Sequence, residues 1–206
     1  MRRAAGAVLA PVPDAMSAPR HSPSAKELER PIVMVGMMGS GKSAIGRRLA
    51  QRLGLPFVDA DAEIERAAGC TIDEIFDKHG EAAFRDGERR VIARLLEGPV
   101  GVMATGGGAF MDPETRARIR ARAITVWLKA DLDTLVERVA RRRHRPLLKN
   151  GDPREILTQL IAARHPVYAE ADITVETGDA PTAATVERVI EALAAFRVRP
   201  RAERPA

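Results

Sequence analysis

The sequence predicts an α/β fold, a three-layer α/β/α sandwich in which helices cover both faces of a parallel sheet. Three observations carry that expectation. Strand-like and helix-like stretches alternate from residue 31 to residue 196. The strand-like stretches are almost continuously apolar, as strands buried on both faces must be. A glycine-rich turn joins the first strand to an amphipathic helix. In such sheets ligands bind beyond the carboxyl ends of the strands, so the candidate site residues are sought there.

Ile32–Val35 reads as the first strand. Lys42–Leu53 follows as a helix, with Ile45, Leu49 and Leu53 four apart on one face. Pro56–Asp59 is the second strand. Thr71 with Glu74 three residues later forms a capping box that opens a helix. Phe84, Val91, Ile92, Leu95 and Leu96 stripe a longer one. Val100–Ala104 is the third strand, closed by Gly106-Gly107-Gly108. Asp112-Pro113 opens a helix as cap and first-turn proline. Ile124–Leu128 is the fourth strand, and Leu132–Val139 the helix after it. Asp152-Pro153 starts a helix that runs to about Tyr168, Ile173–Val175 is the fifth strand, and Pro181–Phe196 closes the series.

Composition narrows the function classes. The chain has 206 residues, 45% apolar and 30% charged, which suits one soluble domain with its own core. No apolar run approaches the ~20 residues that a spanning helix needs. A single cysteine, Cys70, leaves no internal disulfide, and the four scattered histidines argue against a structural zinc site. His79, His144 and His165 read as structural or solvated, and Phe110 and Trp127 as core or near-core. The net charge of +5 lies in the tails: residues 1–30 contribute +2 and residues 197–206 contribute +3. The body, 31–196, has 24 basic and 24 acidic side chains. A globally basic nucleic-acid-binding face is therefore not implied. Residues 1–30, rich in Ala, Pro, Ser and Arg without a period, read as a disordered arm, and residues 197–206 as a disordered tail. A targeting leader or a translation start at Met16 are the alternatives for the arm.

The strongest chemical signal is Gly36-Met37-Met38-Gly39-Ser40-Gly41-Lys42-Ser43, a G-x-x-x-x-G-K-[ST] phosphate loop. The residue frequencies of this chain give roughly 0.002 chance matches to it. Backbone N–H groups of such a loop curl around phosphate oxygens, and the following helix adds its positive end. Lys42 would reach the transferring phosphate and the Ser43 hydroxyl would hold Mg²⁺. Asp59-Ala60-Asp61 lies just past the second strand, and in extended chain both carboxylates face one side. One could organise Mg²⁺ and its waters while the other accepts a proton from an attacking hydroxyl. Gly106–Gly108 marks a permissive turn or a ligand's close approach to bare backbone. Arginine outnumbers lysine 28 to five, so only position singles any out. Arg85 sits on an apolar helix stripe beside Phe84, Arg145 ends the run Arg141–Arg145, and Arg164 precedes His165-Pro166-Val167-Tyr168. The run reads as a solvated face or part of a lid, with nucleic-acid contact as the rival.

Over about residues 31–196 the sequence resembles the shikimate kinase family of P-loop, nucleoside-monophosphate-kinase-like enzymes. The resemblance is carried by the phosphate loop, Asp59 and Asp61, Phe84-Arg85, Gly106–Gly108, Arg145-Pro146-Leu147-Leu148, and Arg164 before Pro-x-Tyr. It implies a five-stranded parallel sheet in the order 2-3-1-4-5, with a lid at about 141–152. It implies transfer of the ATP γ-phosphoryl group to the 3-hydroxyl of shikimate, on the route to chorismate and aromatic amino acids. Carried over by position, Gly39, Ser40, Gly41, Lys42, Ser43, Ala44 and Arg145 bind ATP, and Lys42 and Arg145 neutralise the transferring phosphate. Ser43 ligates Mg²⁺, with Asp59 supporting its water shell. Asp61 binds the ring hydroxyls and is the base. Arg85 and Arg164 clamp the carboxylate, helped by backbone at Gly107 and Gly108. The loop Thr177–Pro181, which should border the adenine, has no arginine of its own, and either Arg141 or Arg142 would stack on the base. The expected partners are ATP and shikimate, with no nucleic acid and no membrane, for a cytoplasmic monomer. Another small-molecule kinase of this fold, such as a gluconate kinase, is the nearest enzyme rival. A regulatory or nucleic-acid-binding module without turnover is the rival from another class.

Overall fold

The structure, a computed structural model, describes residues 28–140, 151–178 and 180–198. Five strands are present: β1 (Ile32–Val35), β2 (Phe57–Asp59), β3 (Val102–Ala104), β4 (Ile124–Ala130) and β5 (Ile173–Thr177). They form one parallel sheet in the order β2-β3-β1-β4-β5. Ile32 of the central strand is registered with Val102 on one side and Ile124 on the other.

Alternation along β1 divides the core in two. Val33 and Val35 join Met103 and Trp127 under α3 (Ile72–Leu95), α4 (Pro113–Arg122), α5 (Leu132–Ala140) and α6 (Pro153–Tyr168). Ile32 and Met34 join Val126, Leu128 and Val175 under α1 (Lys42–Leu53) and α7 (Thr182–Val198). The Ile45-Leu49-Leu53 stripe of α1 and the Val186-Val189-Ile190-Leu193 face of α7 meet on that side. Residue spacing thus assigns each strand side chain to one helix layer, which is the sandwich expected from the apolar strands.

The largest departure from expectation is α2 (Ala60–Ala68), where the sequence suggested extended chain. Asp59 ends β2 and caps this helix in one step, its carboxylate accepting from the Asp61 N–H at 3.1 Å. Helix α2 packs on α3 through a small third core of Ile64, Ile75, Phe84 and Val91. The Thr71–Glu74 capping box is present, and α3 carries one non-helical residue, Gly80 (φ 77°, ψ 174°). That break falls between the capping box and the stripe from Phe84 to Leu96, which the sequence reads as two helices. Strand β3 starts at Val102, and Gly101 before it packs against Pro56, leaving no room for a side chain. Phe110 and Trp127 are core residues, as expected. Among the described residues no helix is long and apolar enough to cross a membrane.

Candidate active site

The phosphate loop wraps the carboxyl end of β1. Gly36, Gly39 and Gly41 adopt φ values of 134°, 82° and 97°, which side-chain-bearing residues avoid. Gly36 is doubly constrained: a Cβ there would lie 2.7 Å from the Leu128 carbonyl and 3.3 Å from Trp127 Cδ1. Lys42 begins α1 and is buried, its ammonium donating to the carbonyls of Gly36 (2.8 Å) and Met37 (2.9 Å). The loop holds its own cation at the mouth of a 450 Å³ cavity. Gly39, Gly41, Lys42, Ser43 and Ala44 line it with Asp61. Ser40 is fully buried and does not line it, but its carbonyl accepts from the Thr177 hydroxyl.

A second cavity of 630 Å³ lies beside the first. Asp61, Arg85, Gly106, Gly107, Gly108 and Arg164 all line it, so the sequence-predicted acceptor residues are brought together from α2, α3, the β3 exit and α6. Ile72, Phe76 and Phe84 give it one apolar wall. Among the described residues only Met38, Asp61 and Gly107 line both cavities. Asp59 lines neither; its carboxylate stands behind Asp61 at the helix cap. Arg145, Arg141 and Arg142 lie outside the described residues.

Arg85 is held by carboxylates of its own helix. Its guanidinium donates to Glu88 at 2.7 Å and to Glu81 at 3.1 Å, three residues ahead and four behind on the same helix face. Burial alone would lower its pKa, but Glu88 and Glu81 outweigh burial and raise it, so Arg85 stays charged. The guanidinium lies against bare backbone: a Cβ on Gly108 would fall 2.5 Å from Nη1. Arg164 is aimed by the carbonyl of Gly107, to which it donates at 3.2 Å. Tyr168, one turn further along α6, donates to the same carbonyl. Burial pushes the Tyr168 hydroxyl up to about 12, so it remains a donor. Two fixed guanidinium groups beside three glycines offer the chemistry that a carboxylate calls for.

Sequence reasoning missed three contributors. Glu88 is buried under Arg85; the i,i+3 spacing was a signal, but only its burial shows that it matters. Tyr168 was read as part of a motif and turns out to brace Gly107. Arg138 of α5 donates to the carbonyls of Gly39 (3.4 Å) and Gly178 (2.6 Å) and lines the phosphate-loop cavity. The loop at Thr177–Pro181, which has no arginine of its own, thus receives one from α5.

A sheet in this order, with a phosphate loop opening onto an acceptor pocket, is that of a P-loop kinase, which moves a phosphoryl group from a nucleotide to a small molecule. A family model described as shikimate kinase matches residues 38–194. The shikimate kinase of Paramagnetospirillum magneticum is 62% identical over 81% of this chain and 86% of that protein. The shikimate kinase of Bradyrhizobium diazoefficiens is 59% identical over 85% of each. The solved structure of shikimate kinase from Acinetobacter baumannii in complex with shikimate superposes with a TM-score of 0.80 at 36% identity, covering 82% of this chain and 96% of that one. The chain belongs to the shikimate kinase family, and it is an ATP-using phosphotransferase.

Proposed function

We propose that the 630 Å³ cavity receives shikimate, that the phosphate-loop cavity receives the ATP phosphates, and that Asp61 manages the hydroxyl between them. One observation carries this reading: among the described residues Asp61 is the only carboxylate lining both cavities. Shikimate has a carboxylate at one end and three hydroxyls at the other. Arg85 and Arg164 fork the carboxylate, and backbone at Gly107 and Gly108 completes the cradle. The 3-hydroxyl then faces Asp61. Its oxygen forms a bond to the γ-phosphorus as the bond from that phosphorus to the ADP oxygen breaks, and Asp61 takes the hydroxyl proton. Lys42 stabilises charge on the transferring group, helped by Arg145 from the stretch at 141–152, which we read as the lid.

Mg²⁺ fits the residues present. Ser43 lines the phosphate-loop cavity, and the Asp59 carboxylate caps α2 next to Asp61, which lines the same cavity; both side chains offer oxygen donors, which suit a hard cation. When bound, the ion neutralises phosphate charge. Ser43 would ligate it and Asp59 would order its waters. Residues 31–196 are read as one catalytic unit working as a cytoplasmic monomer without nucleic-acid or membrane partners. The formally neutral body supports the absence of a nucleic-acid partner.

A coupled ADP-release assay offering shikimate, quinate and gluconate separately tests the substrate; turnover with shikimate far above the other two is expected. Asp61→Asn should lower that turnover by about 10²–10⁴-fold while ATP binding, measured by equilibrium titration, persists. A preference for gluconate would overturn the substrate, and near-normal turnover by Asp61→Asn would remove the base.

A further inference from the structure

Glu88 is a carboxylate only 2% exposed, in the wall of a cavity that we read as receiving another carboxylate. Its Oε2 accepts from Arg85 at 2.7 Å. Its Oε1 is buried and has no hydrogen-bond partner among the described residues. That oxygen stands beside Gly106, where a Cβ would lie 3.0 Å from Glu88 Oε1 and 2.7 Å from Asp61 Oδ1. Two carboxylate oxygens therefore flank the same bare backbone, and one of them lacks a donor. A buried polar oxygen without a donor is rare and costly, and protonation turns it into a hydroxyl that needs no counter-charge.

The groups around Glu88 come from every neighbouring element. Arg85 is on its own helix, with Glu81 holding the other side of that guanidinium. Asp61 faces it from α2, and Asp112, paired with Arg89, from the cap of α4. Arg164 and Tyr168 approach from α6. Arg85 is the cation bonded to Glu88, and it is also one of the two groups that an incoming carboxylate engages.

We propose that Glu88 takes up a proton from solvent when the substrate carboxylate binds, so that the pocket exchanges one negative charge for another. The inference rests on the assignment of Arg85 and Arg164 as the carboxylate fork. Burial already holds Glu88 above the ordinary carboxylate range; Arg85 pulls it back, and Asp61 and Asp112 push it up again. A bound anion draws Arg85 away and adds repulsion, and both raise it further. The pKa is then higher in the complex than in the free protein. Between the two values binding takes up a proton, and affinity falls by up to about tenfold per pH unit as pH rises; outside that window it is flat.

Titration calorimetry of the full chain with shikimate, without nucleotide, reads the proton count directly when run in buffers of different ionisation enthalpy at pH about 5.5 to 8. Net uptake of up to about one proton is expected in the wild type, and its loss in Glu88→Gln. The methyl ester of shikimate, which brings no charge, should bind more weakly and without uptake. No uptake at any pH, or uptake undiminished in Glu88→Gln, overturns the proposal. Loss of uptake in Asp61→Asn but not in Glu88→Gln gives the proton to Asp61 and overturns it too. If Glu88→Gln does not fold, the ester comparison decides: equal uptake for acid and ester overturns it. An ester that binds as tightly as the acid sinks the fork assignment itself, a different failure that takes the proposal with it.

Discussion

The two cavities meet at Asp61, but they are made of different things. The phosphate side is mostly backbone: eight consecutive residues whose glycine conformations aim N–H groups, with one lysine folded back on the loop's own carbonyls. The acceptor side is mostly side chains, delivered from α2, α3 and α6 and aimed by further side chains such as Glu81, Glu88 and Tyr168. A site made of backbone depends on conformation. A site made of side chains depends on charge, reach and the residues behind them.

Mutations can separate the two sides. Lys42→Met should have the largest effect after Asp61→Asn, a fall in kcat of about 10²–10³-fold from loss of charge stabilisation. Binary shikimate affinity, measured by calorimetry, should not move; an equal loss there would mean that the cavities act as one. Arg85→Lys should act on the other side only. An ammonium cannot reproduce a two-pronged contact. About 1.5–3 kcal/mol of charged hydrogen bonding should appear as a roughly ten- to hundred-fold rise in KM for shikimate, with KM for ATP unchanged in steady-state assays. Gly108→Ala sharpens the comparison, because it tests backbone within the side-chain site. Its φ of −95° suits alanine, but the added Cβ would lie within 2.5–2.8 Å of the Arg85 guanidinium. Arg85 must shift against its bonds to Glu81 and Glu88. The expected result is a rise in KM for shikimate of no more than about tenfold, with Tm within a few degrees of wild type.

The same difference explains what the sequence made legible. The phosphate loop was readable because its residues are contiguous and its glycine spacing has few other uses. The five strands were readable because burial on both faces makes them continuously apolar, and their order came with the family resemblance. Helix α2 was not, because Asp59-Ala60-Asp61 reads as loop until Asp59 is seen to end a strand and cap a helix at once. The two aspartates are brought side by side by a helix cap and not by an extended chain. Arg85 and Arg164 could be named, whereas Glu88 could not. Its part depends on the rotation of α3 against Gly106, a long-range fact that no local spacing encodes. Arg138 was hidden for a similar reason: it reaches Gly178 across 40 residues of sequence.

Trp127 is the only tryptophan in the chain. It packs between Gly36, where the phosphate loop begins, and His165, the neighbour of Arg164, with ring centroids 5.0 Å apart. The ultraviolet emission of the intact protein therefore comes from one indole that touches both halves of the machinery, and needs no label to be assigned. An imidazolium quenches indole fluorescence and a neutral imidazole does so far less. Burial, and then the charge of Lys129, hold the His165 pKa below the ordinary histidine value. The emission should accordingly stay bright through neutral pH and dim only on the acid side of the usual histidine range. Above that range, a change in brightness during a titration reports movement of the loop or of α6.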